Sequence, residues 1–228
     1  MFDKKKLVVV VPTRKGSQRV KNKNTKSFSD TTLLELKLNV LKHVKNIDEI
    51  IVNTDCELSI EIAKKAGVKI HIREEYFASS EATNDQHWLH LAQTTDCDVM
   101  LIAQTTSPLV KVTTYENAIE QYINSSSNDS INSVTQEKKF LWEDDHPINY
   151  DASTTPKSQD LPNIFSLNFA ITIIEKNNLL KTKNVVGNKP KFITLDKVES
   201  VDIDDELDFE FAEYLYNKLG INWILEKD

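Results

Sequence analysis

The chain has 228 residues, of which 39% are hydrophobic and 28% are charged, and its formal net charge at pH 7 is -7. This length fits one domain, with or without a modest insertion, and is long enough to bury a full sheet between two layers of helices. The acidic balance argues against a general nucleic-acid binder but leaves room for a local basic site that holds one nucleotide.

The sequence gives no indication of a membrane span, a signal peptide, a disulfide or a zinc site. No apolar run approaches the roughly 18 residues of a membrane span, and the basic residues 4–6 precede a short strand and a proline rather than the apolar segment of a signal peptide. The two cysteines, Cys56 and Cys97, have no second thiol or histidine at metal spacing, so we expect neither a disulfide nor a zinc site. We expect a cytoplasmic protein without membrane or nucleic-acid partners.

Residues 8–11 are four consecutive valines, which predicts a strand buried on both faces. The loop after this strand concentrates positive charge, in Arg14, Lys15, Arg19, Lys21 and Lys23. Gly16 permits close approach of backbone N–H groups, and ligands of open α/β sheets bind at the carboxyl ends of strands. The loop is suited to holding a polyanion, although cationic runs are more often solvated surface.

Strand and helix patterns alternate along the first half of the chain, which predicts βαβ units and a mostly parallel sheet with helices on both faces. Capping boxes predict helices that begin near Thr32 and near Thr54, the second ending at Gly67. Further helices are predicted at 83–94 and at 205–219, and another is predicted to begin at the pair Thr113 and Glu116. Strands are predicted at 49–53, 68–72, 99–103, 168–174 and 191–195.

The last predicted helix carries an apolar stripe and a terminating glycine. Leu207, Phe211, Leu215 and Leu219 follow at helical spacing, and Gly220 ends the pattern.

Residues 136–166 break the alternation and show no sustained period. Stretches of about thirty such residues inside a compact fold are usually functional or form an interface. We therefore divide the chain into a core, at 1–135 and 167–228, and an excursion at 136–166.

Two carboxylates, Asp202 and Asp204, precede the last predicted helix. On a strand, this spacing places both on one face, where two oxygen ligands share a Mg²⁺ with substrate phosphates. The alternative is that Asp204 or Asp205 caps the helix.

Common nucleotide motifs are absent, since the sequence contains neither G-x-x-x-x-G-K-[ST] nor G-x-G-x-x-G. His87 and His90 lie three apart on a predicted helix beside Trp88, which favours a surface or packing role over a ligand role.

In combination, the motifs resemble the acylneuraminate cytidylyltransferase family, the CMP-sialic acid synthetases and their relatives. The resemblance rests on residues 14–19 with Lys23 and Asn24, then 53–55, Arg73, 104–108, 159–162 and 200–204, in the family's order over nearly the whole chain. It implies a Rossmann-like nucleotidyltransferase fold with a small dimerisation excursion, and transfer of CMP from CTP to an acceptor with release of pyrophosphate. It also implies a homodimer.

The resemblance implies roles for individual residues. Arg14, Ser17 and Lys23 would contact the triphosphate, with Gly16 giving backbone access and Gln18 beside them. Asn24 and Arg73 would read the cytosine, and Asn84 would contact the ribose. Gln104, Lys157, Gln159 and Asn168 would bind the acceptor, Asp202 and Asp204 would hold Mg²⁺, and Arg14, Lys23 and the two aspartates would be catalytic.

Departures from the family pattern concentrate in the acceptor half. Ser158 and Ser166 stand where members specific for nonulosonic acids commonly carry arginine, and the family's Asn-Gly-Ala is here Asn168-Phe169-Ala170. Serine cannot replace a bidentate guanidinium contact to a carboxylate, although Lys157 offers a point charge.

We therefore expect a cytoplasmic, Mg²⁺-dependent cytidylyltransferase that activates an acidic sugar or a similar small anion for surface glycan assembly. Two alternatives stay open. One is a metal-dependent glycosyltransferase that uses Asp202 and Asp204 as a D-x-D pair, which the basic loop disfavours because such an enzyme has no triphosphate to clamp. The other is a nucleotide-binding module without turnover.

Overall fold

The computed structural model describes residues 5–17, 19–125 and 127–226. The strands are β1 (Leu7–Pro12), β2 (Ser27–Phe28), β3 (Thr31–Thr32), β4 (Glu49–Thr54), β5 (Lys69–Ile72), β6 (Val99–Ala103), β7 (Ser130–Glu137), β8 (Trp142–Glu143), β9 (His146–Pro147), β10 (Ile164–Glu175) and β11 (Pro190–Thr194). The helices are α1 (Leu33–His43), α2 (Glu57–Ala66), α3 (Glu75–Ala78), α4 (Asn84–Thr94), α5 (Val112–Ile123), α6 (Lys176–Thr182), α7 (Glu206–Leu219) and α8 (Ile221–Leu225).

A seven-stranded sheet forms the centre of the molecule, in the order β11-β7-β10-β6-β1-β4-β5. Strand β1 pairs in parallel with β4 and β6, and β4 pairs in parallel with β5. Only β10 runs against its neighbours β6 and β7 within the sheet as described. The predicted α/β architecture with a mostly parallel sheet is confirmed.

The four valines of β1 pack against the helices on both faces of the sheet. Val9 and Val11 pack into one hydrophobic cluster with α1, α5 and α7, whereas Val8 and Val10 pack into the opposite cluster with α4 and α6. Successive side chains of a strand point to opposite faces, so this strand contributes to both cores at once.

Helix termini agree with the sequence in three places and disagree in two. Thr32 caps α1 by accepting from the N–H of Glu35, and Gly67 ends α2 at φ 67°. The capping box predicted at Thr54 is wrong, because Thr54 Oγ1 accepts from the N–H of Cys56, and Cys56 itself is the N-cap. Helix α5 begins at Val112, just before the predicted start. Helix α7 ends at Gly220 as predicted, but α8 follows it at once.

The last predicted helix is present, but half of its apolar stripe does not lie on the face that the core buries. Leu207 is 74% exposed and Phe211 is 51% exposed, whereas Phe209 is only 2% exposed. Phe28 selects the buried face, because its ring lies 5.4 Å from those of both Phe209 and Tyr216.

The irregular segment at 136–166 connects the far ends of two long paired strands, β7 and β10. Strands β7 and β10 stay paired as far as Glu137 and Ile164, so β10 begins earlier than predicted. Between them lie the β8–β9 hairpin and two short 3₁₀ turns, Ala152–Thr154 and Ser158–Asp160. The division at 136–166 stays a prediction. Among the described helices, none combines the length and apolar character needed to cross a membrane.

Candidate functional site

A cleft of about 370 Å³ opens where β1, β5 and β6 end at their carboxyl edge. This is the edge where open α/β sheets bind ligands. Its lining residues come from the basic loop, from the ends of the strands, from α4 and from the segment before α7. They are Pro12, Thr13, Arg14, Ser17, Arg19, Lys23, Asn24, Arg73, Asn84, His87, Trp88, Gln104, Thr105, Thr106 and Asp204.

Three of the five loop cations line this cleft. Arg14 and Arg19 are exposed at its mouth, and Arg14 donates to the carbonyl of Ala78 at 3.4 Å. Lys15 and Lys21 lie outside it. Gly16 adopts φ 78°, a left-handed conformation that favours glycine, and among the described residues no atom beyond its chain neighbours lies within 4 Å of where a Cβ would stand. Gln18 lies outside the described residues.

Lys23 is buried at the base of the cleft. Its Nζ donates to the carbonyl of Ile203, and the N–H of Ile203 donates to the carbonyl of Thr106 at 2.9 Å. Burial lowers the pKa of Lys23, and the charges of Asp204 and Asp202 oppose that shift. The ammonium is therefore fixed beside the two carboxylates, where it can also meet an anionic ligand.

Asp202 and Asp204 lie on either side of the buried Ile203, on a segment that is not a strand. Desolvation raises the pKa of Asp202 although its side chain is partly exposed, a hydrogen bond with Thr106 opposes the shift, and the Asp204 charge adds to it. Asp205 caps α7, since its side chain accepts from two N–H groups of that helix. Asp204 is therefore not the cap, and its carboxylate pairs with Arg19 at 2.8 Å.

These two carboxylates fit the donor set that Mg²⁺ uses with nucleotides, which is one or two carboxylates completed by phosphate oxygens and water. No cluster of three or more His, Cys, Asp or Glu side chains that could hold a metal by itself occurs in the described ranges. A metal held by Asp202 and Asp204 would depend on a bound nucleotide for its remaining ligands.

Other residues of the cleft are buried polar groups that hydrogen-bond to one another or to neighbours. Asn24 accepts from Thr105 Oγ1 at 2.7 Å, and Arg73 donates from Nε to Asn53 Oδ1 at 2.8 Å. Burial lowers the pKa of Arg73 to about 10, so it stays charged at neutral pH. Burial and the charge of Arg73 lower the pKa of His87 to about 3, so its imidazole is neutral.

Thr13 presents a buried hydroxyl to the cleft. Its side chain is 3% exposed, and its Oγ1 has no hydrogen-bond partner among the described residues. A buried hydroxyl without a partner is destabilising. Thr13 is one of the residues that line the cleft.

A second cavity, of about 360 Å³, adjoins the first. Asn84, Trp88 and Gln104 line both cavities. Phe169 closes part of the second one and adopts φ 53°, a left-handed conformation that is unusual for a bulky residue. The positive φ is a physical reason why a glycine suits this position.

The other candidate acceptor residues lie outside both cavities as the described chain forms them. Lys157 and Gln159 are exposed on the excursion, at a short 3₁₀ turn. Asn168 donates from Nδ2 to Thr135 Oγ1 at 3.0 Å and accepts from its neighbour Ser133. Ser166 bonds to Glu137 at 2.9 Å.

Sequence reasoning missed Thr13 and His87, which line the cleft, and the role of Asn53, which lies behind it and contacts Arg73 and His87. His87 was interpreted as a surface or packing residue, yet its Nε2 lies 2.9 Å from Asn53 Oδ1. The signal that could have found it is positional, since His87 lies in the first turns of α4 and Asn53 lies at the end of β4.

The fold is an α/β fold of the nucleotidyltransferase type, with the cleft at the carboxyl edge of its sheet. The chain belongs to the cytidylyltransferase family, whose model matches residues 8–221.

Individual relatives extend this assignment. The chain is 28% identical over 220 residues to the N-acylneuraminate cytidylyltransferase of Escherichia coli O18:K1:H7, covering 93% of this chain and 52% of that protein. It is 23% identical to the post-translational flagellin modification protein B of Campylobacter coli, covering 94% of this chain and 97% of that protein. The chain thus spans about half the length of the first of these relatives.

Among solved structures, the fold matches 4-diphosphocytidyl-2C-methyl-D-erythritol synthase from Anaerococcus prevotii with a TM-score of 0.72 at 15% identity, covering 94% of this chain and 97% of that one. At this identity the likeness establishes the fold.

Proposed function

We propose that this chain is a Mg²⁺-dependent cytidylyltransferase that transfers CMP from CTP to an acidic sugar of the nonulosonic acid type, or to a similar small anion, with release of pyrophosphate. The observation that carries the proposal is that two cavities share Asn84, Trp88 and Gln104, and that the first of them is lined by cations, by the carboxylate of Asp204 and by buried polar side chains. The family assignment and the N-acylneuraminate cytidylyltransferase relative support the same reaction class.

The base end of the cleft suits cytosine. The guanidinium of Arg73 carries only donors, and cytosine presents two adjacent acceptors, N3 and O2. Uracil places an N–H at the position of N3, which would oppose a donor. Arg73 therefore favours CTP over UTP, and the amide of Asn24, which lines the same cleft, would add a further polar contact.

The triphosphate end of the cleft carries cations that would neutralise the negative charge that develops on the phosphates during CMP transfer. Arg14 and Lys23 would meet the phosphates, with Ser17 as a neutral donor. The acceptor hydroxyl forms a bond to the α-phosphorus as it loses its proton, and the bond from the α-phosphorus to the pyrophosphate oxygen breaks. Mg²⁺ held by Asp202 and Asp204 would neutralise phosphate charge when bound.

The acceptor would occupy the second cavity, next to Gln104. Phe169 reduces its size, and no Lys or Arg lines it in the described chain. Ser158 and Ser166 offer no bidentate contact to a carboxylate. We therefore expect N-acetylneuraminic acid to be a poor substrate, and a modified nonulosonate or a smaller anionic acceptor to be preferred.

Assembly and location are part of the same proposal. The excursion exposes Phe140, Trp142, Ile148 and Phe165, an apolar set that suits a homodimer interface. A dimer built on this segment would bring Lys157 and Gln159 toward a neighbouring acceptor cavity. We place the enzyme in the cytoplasm, in the supply of CMP-sugars for surface glycans.

A pyrophosphate-release screen with CTP, Mg²⁺ and a panel of acidic sugars, sugar phosphates and phosphonates tests the function. Release that depends on CTP and on one acceptor class supports it. CTP binding without release from any acceptor would indicate a nucleotide-binding module, and stabilisation by CMP-sugars or UDP-sugars but not by CTP would indicate a glycosyltransferase.

A further inference from the structure

Asn53, at the end of β4, lies at the centre of a hydrogen-bond network behind the cleft. Its Oδ1 accepts from Arg73 Nε at 2.8 Å and lies 2.9 Å from His87 Nε2. Its Nδ2 lies 2.9 Å from His71 Nδ1, and its backbone carbonyl accepts from the N–H of Thr13 at 2.9 Å. Asn53 is 1% exposed. One buried amide therefore connects two strands, a helix and the wall of the nucleotide cleft.

The contacts fix the position of every proton in the network. Arg73 has only donors, so the group of Asn53 that faces it is the acceptor oxygen and not the amide nitrogen. His87 must then carry its proton on Nε2, which leaves its bare Nδ1 facing Nη2 of Arg73 at 3.5 Å. Because Nδ2 of Asn53 donates, Nδ1 of His71 is bare, and its Nε2–H donates to Thr94 Oγ1 at 2.9 Å.

We propose that Asn53 and His87 are positioning residues that hold the Arg73 guanidinium in the orientation that reads the base, an inference that rests on the proposed function. The network uses the Nε–H of Arg73 and one N–H of its Nη2. The remaining three donors have no partner within the described residues, and Arg73 lines the cleft. Three free donors on a fixed plane suit two adjacent acceptors of one base edge.

Charges around the network keep both imidazoles neutral. Burial and Arg73 lower the pKa of His87 to about 3, and burial and His90 lower the pKa of His71. The charged and titratable groups that face the network from neighbouring elements are Arg14, Asp55, Glu74 and His90. A neutral His87 accepts from Arg73 over the whole neutral pH range, and a protonated one would repel it.

Two substitutions of Asn53 separate positioning from general stability. Asn53→Leu removes both contacts to the histidines and the acceptor for Arg73. Asn53→Asp keeps the size and the acceptor, but its second oxygen faces the bare Nδ1 of His71, so this histidine must gain a proton there. Asn117→Asp, at an exposed position on α5, is the matched control for the added charge.

The dissociation constants of CTP and UTP are measured for each variant between about pH 5.5 and 8.0. At each pH, the constant of the variant is divided by that of the unmodified protein. We expect Asn53→Leu to weaken CTP binding by about 10-fold or more and to reduce the preference for CTP over UTP, since a lost hydrogen bond to a charged group is worth that much. Asn53→Asp should give a ratio that changes with pH, and Asn117→Asp should give a flat ratio near one.

A second readout does not require a working enzyme. In nitrogen-15 NMR spectra without nucleotide, His87 and His71 should show the Nε2–H tautomer at neutral pH. The Nε–H of Arg73 should exchange slowly with solvent, and faster in Asn53→Leu. Circular dichroism melting confirms that the variants are folded.

Folded Asn53 variants with unchanged CTP affinity and unchanged base preference would overturn the inference. An Nδ1–H tautomer of His87, or Arg73 exchange unaffected by Asn53→Leu, would overturn it as well. If the unmodified protein does not prefer CTP, the proposed function fails, and the NMR readout still decides whether the network orders Arg73.

Discussion

Lys37 allows the most direct test of the energetics of this fold. It lies on α1, is fully buried, and donates from Nζ to the carbonyl of Ser107 at 2.8 Å and to Tyr115 OH at 2.7 Å. Burial lowers its pKa to about 7 from the usual 10.5, and the charge of Glu199 opposes the shift only in part. Burial raises the pKa of Tyr115, so its phenol stays protonated and accepts from the amine.

The sign of the effect follows from proton counts. The pKa of Lys37 is lower in the folded protein than in the unfolded chain, so the unfolded chain binds more protons between about pH 7 and pH 10.5. The free energy of unfolding therefore rises with pH across this window, by about 1.4 kcal/mol per pH unit. Over the difference of about 3.5 units, the total approaches about 5 kcal/mol.

Lys37→Met removes the ionisable group and keeps an unbranched chain of similar length. Urea unfolding of both proteins from about pH 6.5 to 9 gives the free energy of unfolding at each pH. Relative to Lys37→Met, the unmodified protein should gain roughly 2 to 3 kcal/mol between pH 7 and pH 9. The difference itself cancels the titration of all other groups.

Lys42→Met is the matched control, because Lys42 lies on the same helix and is exposed. The same unfolding series on Lys42→Met shows the effect of removing an exposed lysine from this helix. A pH-independent difference between Lys37→Met and the unmodified protein would refute the reasoning, because it would mean that Lys37 has an ordinary pKa in the folded state.

Asp202→Asn and Asp204→Asn should each lower turnover by at least about 100-fold, a loss of roughly 2.7 kcal/mol of transition-state stabilisation. Their melting temperatures should stay near that of the unmodified protein. Variants that unfold but keep normal residual specific activity would show that the two aspartates have a structural role. Thr13→Val should leave the protein at least as stable, since its hydroxyl has no partner in the described chain, and should weaken CTP binding several-fold in calorimetry. Equal CTP affinity would remove Thr13 from the site. Phe169→Gly should relieve a left-handed backbone worth about 1 to 2 kcal/mol and extend turnover to larger acceptors in the pyrophosphate assay, and an unchanged acceptor range would exclude it from the cavity wall. Light scattering at micromolar concentration should give a dimer mass if 138–165 forms the interface, and a monomer mass would contradict that.

The sequence predicted most elements of the parallel half of the sheet because their patterns are local. It missed β7, whose buried positions include Ser130, Asn132 and Ser133. These side chains bond to partners far along the chain, for example Asn132 Nδ2 to the carbonyl of Val186 at 3.2 Å. A buried strand with polar residues satisfied by distant partners has no hydrophobic pattern to detect.

The last helix shows the opposite difficulty, because it carries two apolar stripes. Leu207 and Phe211 fit one face, and Phe209 and Tyr216 fit another. Periodicity establishes that a helix forms but does not choose between two apolar faces. The choice depends on Phe28, which comes from the distant β2–β3 hairpin.

The same distinction holds for the candidate site. The basic loop and the Asp202–Asp204 pair are contiguous motifs, so the sequence alone indicated them. The contacts of Asn53 join residues 18, 20 and 34 positions apart, and only the tertiary fold brings them together. Neutral buried histidines leave no compositional trace, so their role was missed.

In the proposed function, the triphosphate end and the base end of the cleft depend on different interactions, and this separates affinity from base preference. Arg19 and Asp204 at the triphosphate end are 67% and 58% exposed, so salt screens their fields. Arg73 and His87 at the base end are buried, and their geometry depends on short hydrogen bonds that salt screens little. Higher ionic strength should therefore weaken the binding of every nucleoside triphosphate while leaving the ratio between CTP and UTP unchanged, because the preference originates in a part of the cleft that mobile ions do not reach.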